Sequence, residues 1–141
     1  MFRVIIAGGR KFNNYSLLKE KCDNILSNVN DRIAIVCGCA YGADLLGEKY
    51  AKEKDYIVHY YPANIILYKN INAYFVRNKN MIDNCNALII FNNGEDKIVI
   101  DMINKAKFRN SHPGKNQSRT NRRSIEFCSY DQEDKFFDKK T

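Results

Sequence analysis

Residues 32–47 read RIAIVCGCAYGADLLG. Residues 32–37 form an apolar run without polar alternation, the pattern of a strand buried on both faces. The run stops at Gly38. Small residues then lead through Gly42 into Ala43, where a different spacing begins. From Ala43 to Lys54 the inward positions Leu45, Leu46, Tyr50 and Ala51 recur at the three-and-four spacing of a helix. A buried strand that turns on glycine straight into a helix is half of a β-α-β crossover. Such crossovers join parallel strands.

The same pattern repeats on both sides. Upstream, residues 2–7 (FRVIIA) are an apolar run ended by Gly8-Gly9. A helix over Tyr15–Leu26 follows, with Leu17, Leu18, Cys22, Ile25 and Leu26 on one face and Asn13 or Asn14 as its N-cap. Downstream, residues 56–61 (YIVHYY) read as a third strand, stopped by Pro62. Ile71–Asp83 is read as helical, residues 87–91 (ALIIF) as the fourth strand, and Asn92-Asn93-Gly94 as a turn. A helix over Ile98–Lys107 and a last strand over 124–129 (SIEFCS) complete the pass. Crossovers of this kind are right-handed in nearly all cases. The expected fold is α/β: a Rossmann-like three-layer sandwich with a mainly parallel sheet of about five strands. It forms one domain over residues 1–130, with a basic polar loop at 109–123. The polar tail at 131–141 is expected to fray.

Composition narrows the class. The chain has 141 residues, 45% hydrophobic and 28% charged, which excludes a disordered chain or a collagen-like fibre. No apolar run approaches the length of a membrane span. The N-terminal apolar run is too short for a signal peptide. A cytoplasmic protein without a membrane partner is expected. The five cysteines show no CxxC pair, and His59 and His112 show no ligand spacing, so no metal and no cofactor is expected. Cys37 and Cys39 would share one side of an extended strand. The net charge of +7 is uneven: residues 109–123 carry five basic residues and no acid. That stretch is either a solvated loop or an attraction for nucleic acid.

In an open parallel sheet, ligands bind beyond the carboxyl ends of the strands, where the strand order reverses. Three segments fall at such ends. Gly8-Gly9-Arg10 follows the first strand, where glycines let backbone amides approach an anion and Arg10 can grip a phosphate. The alternative is a plain tight turn. Neither GxGxxG nor GxxxxGK[ST] is present, which argues against dinucleotide and P-loop sites. Gly38-Cys39-Ala40-Tyr41-Gly42 leads to Asp44, which either complements a helix dipole or accepts hydrogen bonds from a ribose or base. Arg77 and Asn78 can pair with phosphate and base edges beside the stacking tyrosines Tyr68 and Tyr74. Spacing alone instead places that stretch on a solvated helix face with Met81 inward.

Taken in order, Gly8-Gly9-Arg10, Gly38 to Asp44, Pro62-Ala63, Arg77-Asn78 with Met81, and Phe91 resemble the YspA-related branch of the SLOG superfamily. The resemblance runs over about residues 2–107. That superfamily includes the Lonely Guy phosphoribohydrolases and the DNA-processing protein DprA. It implies a Rossmann-like domain that binds a nucleotide or nucleotide-derived ligand, with Gly8, Gly9, Arg10, Gly38, Gly42, Asp44, Arg77 and Asn78 as contacts; Cys39, Ala40 and Tyr41 of the second loop are candidate contacts beside them. It also implies a homo-oligomer. Two departures stand out. The family's GGARGAD reads GCAYGAD here, with Cys39 for a glycine and Tyr41 for an arginine. The PGGxGTxxE pattern of the phosphoribohydrolases, with its catalytic glutamate, is absent.

Three functions follow in order of expectation. The first is non-catalytic binding of a nucleotide-derived signal, as a sensor or as a phage protein that sequesters a host immune nucleotide. The second is a nucleotide-cleaving enzyme in which Asp44 or Glu95 activates water. The third is a nucleic-acid binder that uses 109–123.

Overall fold

The computed structural model describes residues 1–92, 95–112, 124–130 and 136–137. Strands and helices alternate as β1 (Phe2–Gly8), α1 (Tyr15–Leu26), β2 (Ile33–Cys37), α2 (Ala43–Glu53), β3 (Ile57–Tyr60), α3 (Asn72–Asp83), β4 (Ala87–Asn92), α4 (Lys97–Ser111), β5 (Ser124–Tyr130) and β6 (Phe136–Phe137). The sheet order is β3-β2-β1-β4-β5-β6. The first five strands are parallel, and β6 runs antiparallel to β5. The fold is a Rossmann-like α/β sandwich.

Side-chain alternation along the buried strands assigns the two helical layers. Val4, Ile6, Ile35, Ile89 and Phe91 face one side and pack with Leu18, Cys22 and Leu26 of α1 and Tyr50 and Ala51 of α2. Ile5, Ala7, Val36, Leu88 and Ile90 face the other side, against Met81 and Ile82 of α3 and Val99, Met102 and Ile103 of α4. Full burial of each such aliphatic side chain contributes about 1.5–3 kcal/mol. Local chemistry sets the helix starts. The Asn14 side chain accepts from Leu17 N at 3.1 Å to cap α1, and Asp96 accepts from Ile98 N at 2.9 Å to cap α4. The Tyr50 hydroxyl donates to Asp23 at 2.7 Å and ties α2 to α1.

The chain builds outward from β1 through β2 to β3, then returns to place β4 on the other flank of β1. That reversal explains why α1 and α2 share one face while α3 and α4 share the other. It also opens a crevice between the carboxyl ends of β1 and β4.

Three details differ from the sequence reading. Helix α4 continues to Ser111, so the basic stretch begins inside a helix. There Arg109 pairs with Asp83 at 3.1 Å, short of hydrogen-bond geometry. Residues 113–123 lie outside the described residues, as does most of the tail. Within that tail, Phe136–Phe137 forms the short strand β6, because Ser129 and Tyr130 of β5 offer it an open edge. Cys39 is not on a strand with Cys37: β2 ends at Cys37, and Cys39 sits in the next turn with φ +67°. Among the described residues no helix is long and apolar enough to cross a membrane.

Candidate functional site

Glycines at the crevice permit close backbone approach. A Cβ on Gly8 would overlap the Phe91 carbonyl oxygen of β4 and meet Ala43 Cβ at 3.0 Å. Gly42 has φ +80°, and a Cβ there would overlap Gly9 O. The loops after β1 and β2 therefore pack backbone against backbone, with Ala43 N donating to Gly9 O at 3.4 Å.

Asp44 stands in the first turn of α2 and is only 5% exposed. Its Oδ2 accepts from Ala40 N at 3.3 Å, which curls the loop back over the helix start. Burial pushes its carboxyl up to about 6, while the Arg77 guanidinium and the Ala40 N–H pull the other way. Arg77, in α3, is 6% exposed. Its Nη1 donates to Gly38 O at 2.7 Å and its Nε to Asn78 Oδ1 at 3.2 Å. Burial lowers the pKa of this guanidinium, and the nearby Asp44 opposes that shift. A Cβ on Gly38 would stand 2.7 Å from Asp44 Oδ2 and 2.9 Å from Arg77 Nη1, so only glycine lets both groups reach this turn.

Asn78 completes the chain of contacts. Its Nδ2 donates to Ile98 O at 2.9 Å and to Asp101 Oδ2 at 3.1 Å, both on α4. With its oxygen taken by Arg77, every hydrogen-bonding position of the amide except one oxygen lone pair is engaged. The reading of Arg77 and Asn78 as a solvated helix face does not hold, because both are buried. The fold uses Asn78 to join α3 to α4.

The exposed contribution comes from Arg10 and Tyr74. The half-buried Tyr74 ring has Arg10 Cζ at 5.4 Å and Arg77 Cζ at 5.5 Å from its centre. Beneath them lies a hollow of about 20 Å³, room for roughly one water. Gly8, Arg10, Ala40, Asp44, Arg77 and Asn78 line it, joined by the α4 cap Asp96, by Ile98, Val99 and Met102 of α4 and by Ala7 of β1. Gly9, Gly38, Cys39, Tyr41 and Gly42 form the surrounding loops without lining it. Tyr41 points away at 77% exposure, and Glu95 lies exposed outside the hollow. Sequence reasoning did not single out Asp96 for the site. The available signal was an acid placed just before the apolar pair Ile98-Val99, which marks a helix start.

The model of the YspA, cpYpsA-related SLOG family matches residues 2–68. Over that stretch, a little under half of the chain, the sequence is similar to the SLOG family. The matched stretch holds both glycine-bearing loops of the crevice, Gly8 to Arg10 and Gly38 to Asp44. It is shorter than the span of the sequence resemblance and ends before Tyr74, Arg77 and Asn78. The part α3 plays in this crevice therefore rests on the geometry above. No curated protein and no solved structure matches the chain. Similarity to that family suggests nucleotide-related binding or processing.

Proposed function

We propose that the chain binds a nucleotide-derived anion across the mouth of the β1/β4 crevice and leaves it intact. The observation that carries this reading is the Tyr74 ring with the guanidinium groups of Arg10 and Arg77 within 5.5 Å of its centre. An aromatic face stacks a base, and the exposed Arg10 offers a planar fork to phosphate. Helix α2 starts at Gly42 without a side-chain cap, so its positive end faces the same loops. The hollow is too small for a base, so in this reading the ligand lies over it. The Asp44 carboxylate is engaged in holding the Ala40 turn, an organising role instead of activation of water. Such a binder serves as a sensor or as a sequestering protein, as a phage would use against a host nucleotide signal.

One observation favours cleavage as a second reading. Asp44, with its pKa raised to about 6, and Asp96 line the same hollow, and a raised carboxyl can act as a general acid.

Native mass spectrometry of the purified protein tests for a retained ligand. A panel of nucleoside phosphates, cyclic dinucleotides and ADP-ribose then separates the readings. Binding without new products on chromatography supports the first. Turnover abolished by Asp44→Asn overturns it in favour of the second. Binding that Arg10→Ala leaves unchanged shows the site to be elsewhere.

A further inference from the structure

Residues 56–68 read YIVHYYPANIILY and contain no Asp, Glu, Lys or Arg, in a chain that is 28% charged and carries a net charge of +7. The charge-free run covers the edge strand β3 and most of the loop that follows it. Of the twelve large hydrophobic residues exposed among the described residues, seven fall between Ile57 and Ile71, with Ile66 at 96%. Concentration of exposed apolar residues in one segment marks an interaction surface, whereas single ones scattered over a surface do not.

The backbone of β3 adds a second feature. Among the described residues it pairs with β2 on one side only and stands at the end of the sheet. Edge strands are commonly blunted by lysine, by a bulge or by a covering element. No charged residue lies within Ile57–Tyr60, and β3 is the last strand on its side. The loop beyond is preformed. Leu67 N donates to Asn64 Oδ1 at 3.0 Å and Tyr68 N to Asn64 O at 3.1 Å, so the turn holds Ile65, Ile66 and Leu67 outward. A surface ordered in advance loses little freedom on binding.

We propose that this segment is where a second copy of the chain docks, with the two β3 strands pairing antiparallel across a two-fold axis and the Ile65–Leu67 turns packing beside them. Antiparallel pairing of identical strands is self-complementary, as an isologous interface requires. The absence of charge fits another copy. A nucleic acid or an anionic membrane would ask for basic residues here, and a positively charged chain meets its copy with least repulsion where it is neutral. The exposed area is sufficient: the seven residues offer at most on the order of 800 Å², one partner's share of a standard interface.

Sedimentation velocity of the full chain over a range of micromolar concentrations tests this. Wild type is expected to dimerise. Ile66→Asp and Ile57→Lys, both at exposed positions, are expected to raise the dissociation constant by at least about thirtyfold. Their secondary structure by circular dichroism is expected to stay unchanged. Amide exchange at Ile57–Tyr60 is expected to slow on association. A wild type that stays monomeric throughout overturns the proposal, as does a dimer indifferent to both substitutions or one without β3 protection. A monomer that sediments with phosphatidylserine-containing vesicles reassigns the surface to lipid and also overturns it.

Discussion

Arg77 Nη1 reaches the carbonyl oxygen of Gly38 at 2.7 Å, thirty-nine residues away in the chain. The bond ties helix α3, on one face of the sheet, to the loop that starts α2, on the other. Arg77→Ala leaves that carbonyl without this partner and removes the cation beside Asp44. The expected loss is about 2–4 kcal/mol in urea unfolding. Arg77→Lys restores charge but not the planar fork that also reaches Asn78, so it recovers only part. An unshifted midpoint for Arg77→Ala would show the contact to be dispensable.

Asp44 sets a pH dependence of definite sign. Its carboxyl is raised from 3.8 to about 6 in the folded chain, so folding favours the protonated form. Below about pH 4 both states hold the proton. Between about pH 4 and pH 6 the folded protein keeps a proton that the unfolded chain has lost, so stability declines by about 2–3 kcal/mol over that range and levels off once the folded carboxyl ionises as well. Asp44→Asn is expected to be nearly neutral at pH 4 and stabilising at pH 7.5, measured by urea unfolding at both. A difference that does not change with pH would contradict the raised pKa.

Two turn positions are expected to respond in opposite directions. Cys39 sits at φ +67°, a region that favours glycine, so Cys39→Gly is expected to stabilise by about 0.5–1 kcal/mol. Gly42→Ala adds a Cβ at φ +80° against the Gly9 carbonyl and is expected to cost about 3 kcal/mol. Thermal denaturation of the two variants beside wild type checks both signs.

The thiols divide cleanly. Cys39 is exposed, and the other four are buried. Burial also pushes the Cys37 thiol up to about 12 and raises Cys22. Alkylation of the native protein near pH 8 is expected to give one fast modification by mass spectrometry, absent in Cys39→Ser. A second fast modification would mean that a buried thiol is reached by local opening.

Tyr74 separates stacking from hydrogen bonding. Tyr74→Phe keeps the ring beside the two arginines and is expected to hold affinity for a bound nucleotide within about threefold. Tyr74→Ala is expected to lose about tenfold, matching about 1–2 kcal/mol for a lost aromatic face. Equal affinities for Ala and wild type would remove Tyr74 from the site.

The strands and the reversal of their order were legible because apolar runs ending on glycine leave few alternatives. The loops of Gly8 to Arg10 and Gly38 to Asp44 were legible for the same reason. The burial of Arg77 and Asn78 was not. Their polarity places them on an outward face, and their partners at Gly38, Ile98 and Asp101 are brought near only by the fold. The two-residue strand β6 was equally hidden, since Phe136-Phe137 has no alternation to read and is paired only because β5 offers an edge.

That short strand bears on how far edge-to-edge association can run. Among the described residues the sheet ends in β3 on one side and in β6 on the other, and β6 covers Ser129 and Tyr130 of β5 with two residues in the reversed direction, too few to template a long ladder themselves. Growth through the β3 end alone stops at a pair. A chain whose two ends were both long and open would instead extend as a fibre.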